Sequence, residues 1–463
     1  MVSTSGEHFA DCWSYILVCF RMARWLRKSS REFRVYDALE ARTSELEGNQ
    51  FSTTTKLKGE AIFGLTQAFG KGVAGSTSNS IDSNSNFTFS DRVRLTLESS
   101  FAGKDKLQIR LNASNVFNSN NVGLTRNTTN QTVGGVPPET PNQFASRVAQ
   151  NGGTNTNMAR LGYDGPTSPP NSINIDKINY AFNPLPNLSV KIDAIGADLD
   201  DNFEQFNPDF KSSGSGSISR YGRFSPIYRQ ARSGSGIAVN LKPNDQFTLG
   251  AGYYAAGNIA SNPARGLFEG DSTIFGQLAF KPNKAINVGL TYAHTYLVQP
   301  SVDSNGNNTS THLFDSTGGS YSVATTGVPT EASHYGLQLS LNPIPNITLG
   351  GWAGYTTAST LTGPSTSREY WYWAGNVAIK DFLREGNTLG LVFGQPPKFT
   401  GGKSGGNNVN GETDTSYHLE GLYKIKVSDN ILLTPGVLVI LDPQHNKDNP
   451  NIIVGTLRTT FSF

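Results

Sequence analysis

The stretch Lys281–Leu297, KPNKAINVGLTYAHTYL, decides the fold. It opens on the tight turn Lys281-Pro-Asn-Lys284. It continues with Ile286, Val288, Leu290, Tyr292 and Tyr296, alternating with Asn287, Gly289, Thr291, Ala293 and Thr295. A strand turns successive side chains to opposite faces, so this pattern specifies one apolar and one polar face. Phe247, Leu249, Ala251 and Tyr253 repeat it, as do Tyr335, Leu337, Leu339 and Leu341. The polar positions carry Gly, Ser, Thr, Asn or charge, which predicts a wet interior rather than the dry core of a sandwich.

Outward from this strand, tight turns recur at Asn183–Asn187, Lys242–Asp245 and Asn342–Asn346, with others at Gly103–Asp105, Asp381–Asn387 and Ser428–Asn430. Pro presets φ there, and Asn or Asp supplies local hydrogen bonds. Between successive turns lies one long polar connection, near 70–86, 117–172, 199–233, 258–272, 298–331, 357–369, 395–415 and 442–450. Eight long loops and seven short turns separate sixteen strands, expected near 56–69, 87–101, 106–116, 173–183, 188–198, 234–241, 246–257 and 273–281, then 285–297, 332–342, 347–356, 370–380, 388–394, 415–427, 431–441 and 451–463. Segregated loop lengths are what a transmembrane antiparallel β-barrel requires: short turns at the periplasmic end and long loops outside. Closure removes the sheet edges that lipid would not tolerate. The expected fold is therefore all-β, a barrel of about 16 strands.

Composition agrees. Across 463 residues the apolar share is 36% and the charged share 16%, both low for a soluble domain, while Gly alone numbers 49. No apolar run is long enough for a membrane helix. The 48 aromatic residues argue against disorder. A net charge of +2 leaves no footprint for nucleic acid as a partner. Two cysteines, Cys12 and Cys19, define neither a disulfide framework nor a metal site.

The last strand sharpens the reading. Ile453, Gly455, Leu457, Thr459, Phe461 and Phe463 share one face, and Val454, Thr456, Arg458, Thr460 and Ser462 the other. Arg458 is thereby assigned to the lumen, away from the ~2–4 kcal/mol cost of a basic side chain facing mid-bilayer lipid. Phe461 and Phe463 fit a membrane-interface girdle. Trp371 and Trp373, in the run Tyr370-Trp-Tyr-Trp373, fit the same girdle, with Tyr370 and Tyr372 turned inward.

Phe51–Gly70 (FSTTTKLKGEAIFGLTQAFG), Ile218–Arg229 (ISRYGRFSPIYR), the NPLPN and LNPIPN turns and the TFSF ending resemble the cyanobacterial branch of the carbohydrate-selective porins, which carry surface-layer-homology domains. The resemblance covers about 51–463. It implies an outer-membrane porin, a homotrimer, whose partners are outer-membrane lipid and small hydrophilic solutes. Members of that branch begin with a signal peptide, a wall-binding domain and a coiled coil.

Residues 1–50 depart from that plan. Cys12–Phe20 is apolar, and six basic side chains follow it by Arg34, the reverse of a secretory signal. The segment reads as an atypical start of a longer protein, or as a basic amphipathic surface helix. A short helical stub (36–47) stands where the coiled coil would be. Binding to cell-wall polymer is not expected of this chain.

The most chemically loaded segment is Ala197–Arg232. Asp198, Asp200, Asp201, Glu204 and Asp209 lead into a Ser/Gly hinge (212–217), followed by Arg220, Tyr221, Arg223, Phe224, Tyr228, Arg229 and Arg232. The resemblance implies that this third long loop folds into the lumen. A ring of like charges inside a pore sets ion selectivity. Arg and Tyr planes can also line a track for sugars. The alternative is that these Arg pair with the nearby carboxylates and brace the loop. No catalytic set, metal site or cofactor motif emerges: the six histidines are scattered, and no nucleophile elbow or phosphate loop occurs. The expected function is a passive outer-membrane porin for carbohydrates or inorganic ions. An envelope-anchoring protein and a soluble β-rich carbohydrate-binding protein are the alternatives.

Overall fold

A computed structural model describes residues 55–69, 74, 86–116, 154, 156–165, 167–230, 233–257, 259–298, 301–302, 308–309, 313–315, 317–319, 321–322 and 328–463. Segment 1–50, its helical stub 36–47, and Arg232 lie outside the described residues.

Among the described residues sixteen strands form the barrel. They are β1 (Thr55–Phe69), β2 (Thr88–Ser99), β3 (Asp105–Ser114), β4 (Asn174–Leu185), β5 (Leu188–Ala197), β6 (Gly234–Leu241), β7 (Phe247–Ala255) and β8 (Ser272–Asn283). They continue with β9 (Ile286–Leu297), β10 (Thr330–Ile344), β11 (Ile347–Thr360), β12 (Thr366–Lys380), β13 (Thr388–Ser404), β14 (Tyr417–Lys426), β15 (Ile431–Leu441) and β16 (Ile452–Ser462). Each pairs antiparallel with its chain neighbour. The barrel closes where β1 meets β16, in a register running from Glu60↔Ser462 to Phe69↔Ile453.

Two expectations about connections are corrected. The connection read as 357–369 is only 361–365, because β11 and β12 stay paired out to Ser359↔Ser367. The strand expected to stop at 394 runs on to Ser404 and folds back against Asn407–Asn410. Gln395-Pro-Pro397 breaks the alternation that marks a strand. The structure absorbs it as a register shift opposite Trp371/Trp373, where a proline without an N–H is tolerated.

The outer face is apolar along its circumference, with Ile192, Ile237, Leu249, Leu290, Leu337, Leu391, Leu419 and Ile453 all exposed. Trp371 and Trp373 point outward, 50% and 38% exposed, while Tyr370 and Tyr372 are fully buried inside. Trp371 joins an outward aromatic row with Tyr355 (5.0 Å), Tyr335 and Tyr292. Phe463 lies over Gly59, where any Cβ would collide with its ring. Phe461 meets Phe63 edge-on at 5.7 Å.

The interior is not uniformly wet as expected. Inward side chains of β11–β16, including Trp352, Tyr372, Leu422, Leu438 and Val454, pack against Ile218, Tyr221 and Phe314 of the long loops in one buried cluster. A second cluster joins Phe203, Phe224, Ile227 and Tyr228 to Tyr254, Phe275 and Ala293 of the barrel wall. Loops that enter a barrel bring apolar side chains with them, and these need an apolar wall to dock on. The sector formed by β1–β4 is left polar and charged.

Candidate functional site

After β5 the chain makes one helical turn, Leu199–Asn202, and runs to Arg229 through two short 3₁₀ turns, Tyr221–Arg223 and Pro226–Arg229. Inward side chains of distant strands hold this segment. Glu420 on β14 is completely buried. It accepts from Ser217 Oγ (2.8 Å), the Ile218 N–H (2.7 Å), the Ser219 N–H (3.3 Å) and Ser219 Oγ. Arg458 on β16 donates to the carbonyls of Gly216 (2.6 Å), Ser217 (3.0 Å) and Ser213 (3.3 Å), and Thr460 donates to that of Gly214 (2.6 Å). The Ser/Gly stretch 212–217 is therefore an anchored turn rather than a hinge. A side chain at Gly214 would collide with the Glu60 carboxylate, and one at Gly216 with the Phe210 carbonyl.

Between this segment and the β1–β4 wall lies a cavity of about 900 Å³. Asp198, Asp200, Asp201, Arg220, Arg223 and Arg229, all anticipated from sequence, line it. Glu204 does not: its side chain accepts from Asn287 (2.6 Å) and its carbonyl from Tyr228 Oη (2.7 Å). Tyr221 and Tyr228 do not line it either. The Tyr221 hydroxyl sits 2.7 Å from the carbonyls of both Trp373 and Gln395, and the Tyr228 hydroxyl meets Gln277 Nε2 at 2.8 Å. Both rings are turned into the wall as apolar anchors with a satisfied polar tip, so neither faces the cavity.

The loop arginines are bound up with carboxylates. Arg220 contacts Asp315 through Nε (2.9 Å) and Nη2, and lies 3.5 Å from Asp164. Arg229 reaches the same Asp315 at 3.3 Å and stacks over Phe224 at 4.4 Å. Arg223 reaches Asp200 only at 3.4 Å. Burial opposes charge on Asp315, but Arg220, Arg229 and Arg160 outweigh it and hold the carboxyl well below the usual range. Burial and the like charge of Asp201 push Asp200 up to about 6, against the pull of Arg223. Asp201 moves the other way, because Lys177 outweighs its burial.

The wall supplies residues that sequence reasoning did not single out. Arg92 and Arg94 on β2, Arg110 on β3 and Lys177 on β4 all face the cavity. Arg92 pairs with Glu60 (2.8 Å), and Arg110 with Asp176 through two 2.8 Å bonds. A signal for them existed: Arg92 and Arg94 are two apart on a strand whose other face is apolar, which places both inward. Asp315 and Glu420 carried no such signal, because only the folded loops give them their partners.

Ser219, His418 and Glu420 share the composition of a hydrolytic triad without its geometry. Glu420 accepts directly from Ser219, and all three are sealed from solvent. Among the described residues no cluster of three metal-ligating side chains occurs.

A family profile described as carbohydrate-selective porin, OprB family, matches residues 31–463. An uncharacterized protein of Nostoc sp. is 35% identical over 447 residues, 92% of this chain and 68% of the relative. An uncharacterized protein of Synechocystis sp. is 30% identical over 447 residues, 92% of this chain and 72% of the relative. Among solved structures, OprB of Pseudomonas putida aligns with a TM-score of 0.50 at 12% identity, over 92% of this chain and 97% of that one. A loop-deleted OmpT of Vibrio cholerae gives 0.50 at 9% identity, over 89% and 99%. At such identities the structural likeness concerns the fold.

Proposed function

The chain belongs to the carbohydrate-selective porin, OprB family, and from that premise we propose that it is a passive outer-membrane pore for small hydrophilic solutes. Fold and family match a transport porin rather than a catalyst. The observation that carries the reading is the charged cavity of about 900 Å³ inside a closed barrel whose outer face is apolar. Segment 198–230 is the constriction, with Asp198, Asp200, Asp201, Arg220, Arg223 and Arg229 its charged lining; Arg232 completes the set by sequence. Fields are focused in such a low-dielectric passage, so lining charges select among ions. Carbohydrates and inorganic ions are both fitting solutes. Trp371, Trp373, Phe461 and Phe463 anchor the barrel at the membrane interfaces. The cyanobacterial relatives support placement in the surface-layer-homology branch, and a homotrimer is the proposed assembly, to be read from the mass of the detergent-solubilised protein.

The purified barrel should migrate faster on a gel before boiling than after, and should give stepwise conductance in planar bilayers. A folded sample without conductance would refute the pore. Replacing Arg220, Arg223, Arg229 and Arg232 together with Glu should move the reversal potential toward cation selectivity. An unmoved potential would place these side chains off the ion path.

A further inference from the structure

The pore reading leaves open what the cavity holds, and the wall arginines bear on that. Arg94 differs from every loop arginine around it. Its Nε donates to Asn112 Oδ1 (3.1 Å) and its Nη1 to Ser213 Oγ (3.2 Å), both neutral oxygens. The Asp176 carboxylate is 3.9 Å away and is already bound by Arg110. The Arg94 side chain stays 24% exposed in the cavity. Ser213 Oγ also accepts from Arg92 Nη2 at 2.9 Å. A hydroxyl has two acceptor lone pairs and one proton, so with both lone pairs taken by guanidinium groups its proton is left to donate elsewhere. Ser213 lines the cavity, as do Arg223 and Lys211.

We infer that Arg94, Ser213 and Arg223 form a binding point for a phosphoryl oxyanion, either inorganic phosphate or the phosphate of a sugar phosphate. Arg94, Ser213 and Arg223 present N–H and O–H donors, and the carboxylates Glu60, Asp176 and Asp200 that share the cavity are held by Arg92, Arg110 and Arg223. The Arg94 guanidinium, 3.9 Å from an Asp176 carboxylate that Arg110 binds more closely, stands beside a hydroxyl oriented by it and by Arg92, and a second guanidinium, that of Arg223, comes from the loop. Such an array matches a group carrying several charged oxygens, reached from the wall on one side and the loop on the other. A neutral sugar brings no charge for the Arg94 guanidinium to meet and gains least from it.

This inference rests on the pore reading and is tested in the same bilayers with the full chain. Inorganic phosphate and glucose 6-phosphate should each reduce the chloride current saturably, and glucose should not. Arg94→Gln should raise the half-blocking concentration about tenfold, Arg94→Lys much less, and Ser213→Ala about threefold, since charge-assisted contacts exceed neutral ones. Heat-modifiable migration checks that each variant is folded, and Ser213→Ala carries the test should Arg94→Gln not fold. Block by glucose 6-phosphate matched by glucose, or variants blocked as the parent is, would overturn the inference. A chloride current with no phosphate block would also overturn it, while leaving the pore intact. No current from a folded barrel would remove both.

Discussion

The inner wall of this barrel divides into two sectors that use the same strand geometry for opposite ends. On β11–β16 the inward positions hold Trp352, Tyr372, Leu422, Leu438 and Val454, with Glu420 and Arg458 among them as buried clamps. On β1–β4 they hold Glu60, Arg92, Arg94, Arg110 and Lys177, which line the cavity. The first sector holds segment 198–230 in place and the second leaves room beside it. A pore loop can narrow a passage only if something fixes it to one side, and the burial of its apolar residues supplies that fixation. The comparison also separates arginines by what they do. Arg220 and Arg229 are bound to Asp315 and hold the loop, whereas Arg94 on the open sector hydrogen-bonds only neutral oxygens and meets its one carboxylate, Asp176, at 3.9 Å.

If the sectors divide labour in this way, the largest effect should come from the anchoring side. Glu420→Ala strands the Ile218 and Ser219 N–H groups in a dry site. It should cost about 3 kcal/mol of unfolding free energy, measured by urea titration in detergent micelles, with a noisier open-channel current. Glu420→Gln should retain part of both. Unchanged stability and unchanged noise would show that the clamp does not hold the loop. Next in size, Arg220→Gln should destabilise by about 2 kcal/mol, because Asp315 loses its main partner. In the same urea titration Arg94→Gln should leave stability near that of the parent. Equal losses for the two variants would erase the distinction between bracing and open arginines.

A smaller effect concerns pH. With Asp200 up at about 6 through burial and its neighbour Asp201, its carboxyl is mostly charged at high pH and mostly neutral at low pH. Acidification through pH 6 removes a negative charge from the cavity, so anion preference should rise, by about twofold in permeability ratio for one charge in a focused field. Asp200→Asn should hold the low-pH ratio at every pH, and a variant with the parental pH step would assign the titration elsewhere. The smallest effect belongs to the outer face. Trp371→Ala gives up the ring contact with Tyr355 and should cost about 1 kcal/mol in liposome refolding, without altering conductance. A conductance change would contradict the outward placement of that ring.

Much of this was legible in the sequence. The alternation that starts at Ile286 assigned faces correctly on strand after strand, including Arg458 to the lumen and Trp371 to the outside. Where it failed, a local exception was the cause. Gln395-Pro-Pro397 reads as a stop and is accommodated as a bulge within β13. In the loop, residue type located Asp198, Asp200, Asp201, Arg220, Arg223 and Arg229 at the cavity; of the others, Tyr221 and Tyr228 turn into the wall and Glu204 stays exposed beside Asn287.

The barrel, its strand number and the faces of its regular strands follow from a period of two and from turn chemistry, both local properties. Which charges are engaged depends on the packed loops. Asp315 meets Arg220 from a loop almost a hundred positions away, and Glu420 meets Ser219 from some two hundred positions away. Pairings over such separations depend on how loops pack inside a closed wall, and neither periodicity nor composition records that. For this reason the arginine-rich loop stood out in the sequence, while Arg94, on a strand whose pattern placed it inward, gained its significance from having neutral oxygens as its hydrogen-bond partners.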